Sequence, residues 1–144
     1  VKFGIWIEPE MANTTSELYE KHPDWILKAP NRELVLGRGG TQVVLDLANP
    51  KVQDFIFGMV DNLMTNYPEI DYIKWDANMS IMNHGFQLFI QIMTRAICNI
   101  AYHKASRRFC QRIRAKYPEV AIQLVLVAAG VSIMACCLIL TSFG

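Results

Sequence analysis

Apolar and polar positions along this chain follow two rhythms. Val1 to Ile7 is a run of apolar, β-branched and aromatic residues that stops abruptly at Glu8-Pro9-Glu10, and Ile70 to Trp75 is a second run that stops on Asp76. The first run predicts a buried strand, to which Pro9 denies its next ladder hydrogen bond, and the second predicts the next strand. Gln42 to Leu47, after the loop Gly37-Arg-Gly-Gly40, is strand-like, and Val120 to Leu124 predicts a further strand. Between these runs the period lengthens. Val52, Phe55, Ile56, Met59, Val60, Leu63 and Met64 recur at helical spacing and predict the buried face of a helix. Asn49-Pro50 opens that helix, with proline favoured in the first turn, and Tyr67-Pro68 ends it. Ser16 to His22 predicts a short polar helix capped by Ser16, Pro23 to Trp25 begins the next segment, and Tyr102 to Lys116 predicts another helix.

Strand, helix, strand, helix, strand implies an α/β fold with parallel strands. No internal repeat or low-complexity tract interrupts it. The order alone fits a doubly wound sheet or a barrel. At 144 residues the chain is short of the about 250 that a complete eight-stranded barrel needs. It also begins inside an apparent strand and ends just after an apolar run, so a fragment of a larger protein is expected.

Charge removes two partner classes. Fourteen basic against thirteen acidic residues leave +1, which offers no case for nucleic acid or an anionic membrane. Lys104 to Lys116 is locally basic, with Arg107, Arg108, Arg112 and Arg114, and is expected to be a solvated helix face. The cysteines Cys98, Cys110, Cys136 and Cys137 have neither metal-ligand spacing nor a disulfide framework. Val120 to Leu140 is nearly free of polar residues and on length alone is a transmembrane candidate.

The candidate chemistry sits where the strands stop. Asp76 ends a strand that also carries Lys74, and the two alternate onto one face, where the cation favours the charged carboxylate and can donate to hydroxyls. A carboxylate at a strand's carboxyl end is a frequent catalytic position. Glu8 and Glu10, separated only by a proline, are expected to orient neighbouring groups. His22 and Trp25 are expected to pack, His84 is ambiguous, and Met79, Met82 and Met93 are apolar filling.

Four phrases, FGIWIEPEM, SELYEKHPDW, LGRGGTQVVLDLANP and IDYIKWDANMSIMNHG, occur in this order and spacing. Together they resemble the family 36 glycoside hydrolases, chiefly retaining α-galactosidases. The likeness is close from Val1 to about Gly85 and patchy beyond. It implies a (β/α)8 TIM barrel, of which this chain is roughly the middle third, with Val1 to Ile7, Ile70 to Trp75 and Val120 to Leu124 as barrel strands. It implies a double-displacement hydrolysis of terminal α-galactosides with Asp76, the aspartate of KWD, as nucleophile. Lys74, Asn78 of KWDxN, Arg38 of the Leu-Gly-Arg segment and Trp6 of GxWxEPEM would contact the sugar. No cofactor or metal is implied. The implied partners are α-galactoside oligosaccharides, neither nucleic acid nor membrane, and the parent enzyme is expected to be a homo-oligomer.

The resemblance also exposes a gap. The family's SGGGR phrase and the W-S-D-x-x-D phrase bearing its acid/base aspartate are both missing. Permitted codons for Val125 to Gly144, reread after one added base, spell CASGGGRVNYGVLPYFDEFW, with the codons chosen knowing that family phrase. The expected organisation is therefore a partial barrel over 1–124 and an out-of-frame apolar tail over 125–144. Frame errors within 86–99 and 105–109 would likewise account for the fading likeness there. Lacking the second carboxylate, the chain as written is expected to be inactive. The alternatives are a non-catalytic, membrane-anchored or sugar-binding remnant, or a related retaining α-glycosidase.

Overall fold

The computed structural model describes residues 1–28, 33–77, 95–128 and 131–135, and side chains over 1–28, 33–37, 39–76 and 104–123. In chain order the elements are β1 (Phe3–Ile7), β2 (Met11–Asn13), α1 (Glu17–Lys21), β3 (Gln42–Val44), α2 (Pro50–Asn66), β4 (Ile70–Ala77), α3 (Arg95–Lys116), β5 (Ala121–Ala128) and β6 (Val131–Ala135). The main sheet has the order β1-β4-β5-β6, and β2 and β3 form a separate antiparallel pair. The β1–β4 and β4–β5 pairs are parallel, while β5 and β6 are antiparallel. Helix α2 leads into β4 and α3 joins β4 to β5, as parallel neighbours require.

Local chemistry sets the helix starts. The Asn49 side chain accepts from the Lys51 N–H at 3.0 Å, and Pro50 fills the first turn, where no N–H is needed. Ser16 caps α1 by accepting from the Tyr19 N–H. Val52, Ile56, Val60 and Met64, a strict i, i+4 row, are the buried residues of α2. Phe55 and Leu63 are only partly buried, and Met59, expected on the buried face, is exposed because it lies in the adjoining row. On α3, Ala105, Ser106, Phe109, Cys110 and Ile113 are buried. The Phe109 ring meets Trp75 edge to face at 4.8 Å, fastening α3 to β4.

The basic face of α3 is solvated as expected at Lys104, Arg107 and Arg108. Its far end instead docks on α2. Arg112 pairs with Asp54 and lies 4.0 Å over the Phe57 ring, and Lys116 pairs with Asp61. The hydrogen bonds from Lys116 and then Tyr117 hold the Asp61 carboxyl below its ordinary value.

Four further expectations are corrected. β1 is not a buried strand among the described residues: it lies at the edge of their sheet, with Phe3 and Trp6 half exposed, and of its residues Ile5 and Ile7 pack against the core. The strand at Gln42 ends at Val44, because β2 offers only three partners, and the chain continues through a single bridge from Leu45 to Ile26. The helix expected from Tyr102 already begins at Arg95. Within the transmembrane candidate, 121–128 and 131–135 are the strands β5 and β6, and among the described residues no helix is long and apolar enough to cross a membrane. His22 and Trp25 do pack, their rings stacked at 3.8 Å. Asn78, Met79, Met82, His84 and Met93 lie outside the described residues, as do the side chains of Cys98, Cys136 and Cys137.

Candidate active site

Alternation along β4 separates structure from chemistry. Ile73 and Trp75 are buried on one face, almost wholly removed from solvent. Tyr72, Lys74 and Asp76 therefore share the other face. Register brings β1 beside them, pairing Gly4 with Tyr72 and Trp6 with Lys74, and brings β5 to the other side, pairing Lys74 with Gln123. Strands that are sequentially remote thus line up one surface whose carboxyl end carries Asp76.

Two side chains converge on one carboxylate oxygen there. The Trp6 indole N–H donates to Asp76 Oδ2 at 2.9 Å, and Lys74 Nζ stands 3.6 Å from the same atom. The Asp76 side chain is 12% exposed and that of Lys74 40%, so the acid is sheltered while its cation reaches solvent. A charge-assisted bond from a rigid indole fixes the carboxylate's rotation, and a cation at this distance stabilises its negative charge. An oriented carboxylate at a strand end can attack an electrophilic carbon.

The β1–β4 ladder has one irregularity, between Phe3 and Gly4, where β4 advances two residues for one of β1. The Phe3 N–H there donates to the Asp71 carboxylate at 3.1 Å. Beyond it the pairing is regular, so Trp6 meets Lys74 and comes within reach of Asp76. Gly4 admits the Tyr72 ring, since a Cβ at that position would come within 2.7 Å of Tyr72 Cδ1.

Of the remaining predicted site residues, Arg38 opens a short turn, Arg38–Gly40, in which Gly39 and Gly40 take φ of 64° and 70°. Those left-handed values favour glycine and turn the chain back into β3. The Arg38 side chain and all of Asn78 lie outside what the structure describes. Glu10 is buried, and its backbone carbonyl accepts from the Leu45 N–H at 2.8 Å, tying the end of β1 to the β3 segment. Among the described residues no group of acids, histidines and cysteines is arranged to hold a metal ion.

One titratable residue escaped the sequence reading. Asp46 is buried, and burial pushes its carboxyl up to about 6, against hydrogen bonds from the Ala48 and Asn49 backbone that pull it down. Its Oδ1 accepts from the Ala48 N–H at 2.9 Å. The signal was an aspartate three residues before the Asn49-Pro50 helix start, a local pattern for side-chain-to-backbone bonding.

Known proteins resemble this chain in sequence and in fold. The chain is 45% identical over 85 residues to α-galactosidase AgaA of Geobacillus stearothermophilus, covering 59% of this chain and 11% of that protein. It is 31% identical over 154 aligned positions to the probable α-galactosidase G of Emericella nidulans, covering 92% of this chain and 21% of that one. The crystal structure of AgaA matches with a TM-score of 0.73 at 34% identity, over 86% of this chain and 17% of that one. The α-galactosidase of Lactobacillus brevis matches with a TM-score of 0.67 at 32% identity, over 92% and 17%. The chain thus spans between about a tenth and a fifth of the length of these curated relatives. The catalytic domain of the structural neighbours is a TIM barrel, so β1, β4 and β5 are a parallel α/β part of one, with no closed barrel among the described residues. The Melibiase profile matches residues 1–132, and on that extent of agreement the chain belongs to the Melibiase family, the family 36 glycoside hydrolases.

Proposed function

We propose that this chain is the nucleophile-bearing part of a retaining α-galactosidase. The observation that carries the reading is the convergence of Trp6 and Lys74 on Asp76 Oδ2 at the carboxyl ends of two parallel strands. Asp76 attacks the anomeric carbon of a terminal α-galactoside. The bond from that carbon to the departing oxygen breaks, and a second carboxyl group delivers a proton to that oxygen. The same group then takes a proton from water, which attacks the anomeric carbon and frees Asp76. Lys74 and Trp6 orient the nucleophile and meet sugar hydroxyls and C–H faces, and Arg38 and Asn78 supply further contacts. The substrates are α-galactoside oligosaccharides. Structures of the Geobacillus enzyme with raffinose and with stachyose support that class. The parent enzyme is a homo-oligomer.

The second carboxyl group lies outside this sequence, and residues 125–144 are an out-of-frame translation. A strand running antiparallel to β5 is foreign to an all-parallel barrel, which supports that reading of the tail. The polypeptide as written is therefore inactive, and galactose released by it would contradict this.

The test starts with the source DNA, resequenced from the codon of Gly85 to several hundred bases past Gly144. Corrected frames should restore CASGGGR and a downstream W-S-D-x-x-D. The restored enzyme, treated with a 2-deoxy-2-fluoro-α-galactosyl fluoride or another mechanism-based galactosyl reagent, should carry its label on the peptide containing Asp76. A label elsewhere sinks the nucleophile assignment. A sequence in which every base stands favours the sugar-binding remnant.

A further inference from the structure

Among the described residues β1 and β6 are the outermost strands of the main sheet, and the sequence treats them differently. An outermost strand turns every second backbone N–H and C=O away from its one neighbour, and those groups can accept another strand. β1 is guarded against that. Lys2 stands immediately before it and Glu8-Pro9 immediately after, so charge and a residue without an N–H flank its five positions. β6, Val131–Ala135, has no such guard. From Val120 to Gly144 the sequence contains no Asp, Glu, Lys, Arg, His or Pro.

An added strand binds through main-chain hydrogen bonds, which any strand can supply, and cross-strand side-chain pairs then select among partners. A charged strand rejects an identical one wherever like charges meet. β6 cannot reject itself on that ground. Laid antiparallel on its own copy about a two-fold axis at Ile133, it sets Ile133 opposite Ile133, Val131 opposite Ala135 and Ser132 opposite Met134, with neither charge nor proline in the ladder. Its existing partner β5 is also antiparallel, so a second β6 continues the same type of ladder on the other side. Each copy offers one β6, and a two-fold contact between identical strands closes at two chains.

We propose that β6 is a self-docking edge: the chain as written dimerises through antiparallel β6–β6 pairing, which joins the two four-stranded sheets into one and leaves the β1 strands outermost. This contact is distinct from the assembly of the parent enzyme. It belongs to the sequence as it stands, because the restored frame replaces 125–144, and it holds or fails independently of the galactosidase reading.

The experiment uses the full chain in a thiol reductant, so that Cys136 and Cys137 cannot cross-link copies. In sedimentation over a wide range of concentration the average mass should rise from 16.4 kDa toward twice that value, and backbone hydrogen exchange in 131–135 should slow as it does. Ser132→Lys and Ile133→Lys put a charge at neighbouring ladder positions, and each should hold the mass at that of one chain. Ser132→Thr, uncharged and suited to a strand, should associate as the parent does, and so should Phe3→Lys on β1. A parent that stays monomeric overturns the proposal, as do β6 lysine variants that associate like the parent. Dissociation by Phe3→Lys would overturn it by moving the contact to β1. A rising mass with unchanged exchange in 131–135 would overturn it as well, since the apolar tail would then stick without pairing strands. Entry of single chains into phosphatidylcholine vesicles with a gain of helical dichroism would make the run a membrane segment instead. Should Ile133→Lys fail to fold, Ser132→Lys, which replaces a residue that is already polar, decides.

Discussion

The Trp6 indole N–H donates to Asp76 Oδ2 at 2.9 Å, joining two residues seventy positions apart through the ends of adjacent parallel strands. A hydrogen bond to a charged acceptor is worth about 1.5–3 kcal/mol, which corresponds to roughly ten- to a hundredfold in rate where the geometry is needed in the transition state. In the frame-restored enzyme, Trp6→Phe keeps an aromatic face but loses the N–H donor together with part of the ring. Its kcat/KM on an aryl α-galactoside should fall by about that factor, with Asp76→Asn falling by roughly a thousandfold or more. Equal activity of Trp6→Phe and the parent would show that this bond does not prepare the nucleophile.

Gly4 and Tyr72 make a second cross-strand prediction. A Cβ on Gly4 would stand 2.7 Å from Tyr72 Cδ1, closer than side-chain carbons approach. Gly4→Val must push the ring or the edge strand aside, and overpacking of this kind costs about 1–3 kcal/mol. Urea denaturation of the two proteins should show that loss. Tyr72→Ala in the same chain should recover part of it, and additive losses in the double variant would mean that the two sites do not meet.

The strand ends that make the site were legible from residue type: an apolar run closing on Glu8-Pro9, and a β-rich run closing on Lys74-Trp75-Asp76. The face shared by Lys74 and Asp76 followed from a two-residue period, and the start of α2 from Asn49-Pro50. The partner of Asp76 was less accessible. Trp6 entered through family likeness, since no local pattern says that β1 lies next to β4 with two short strands set aside in a separate sheet. The exposure of β1 was misread for a related reason. Its composition suits burial on both faces, and burial depends on which neighbours a strand has. Asp46 was invisible because its meaning is created by burial.

Asn49 tests how much of α2 depends on its first turn. Its side chain accepts the Lys51 N–H, and Gln53 returns a side-chain bond to the Leu47 carbonyl at 2.7 Å, so the helix entry is closed by two local contacts. Asn49→Ala removes the cap and should cost about 1 kcal/mol, whereas Asn49→Asp keeps an acceptor and should cost less. Thermal unfolding followed by far-ultraviolet dichroism would rank the three, and an alanine variant as stable as the parent would assign the helix start to Pro50 alone.

Asp46 gives the pH dependence. Its carboxyl is raised from the ordinary 3.8 to about 6, first by burial, so the folded chain holds the proton more tightly than the unfolded chain. The stability linked to that proton is complete below about pH 4 and is lost as pH rises through about 6. A rise of about two pH units corresponds to roughly 3 kcal/mol across the window. Asp46→Asn retains an oxygen to accept the Ala48 N–H but carries no charge at any pH. Relative to the parent it should be no more stable at pH 4 and should gain steadily toward pH 7, by at most about 3 kcal/mol, because a buried amide nitrogen needs a partner of its own. Taking the difference between the two proteins cancels the opposing titration of Asp61, which Lys116 and Tyr117 hold low. Urea midpoints measured from pH 4 to pH 7 therefore decide the matter: a difference that does not change with pH means that Asp46 is already ionised in the folded chain, its charge held by the Ala48 and Asn49 amides.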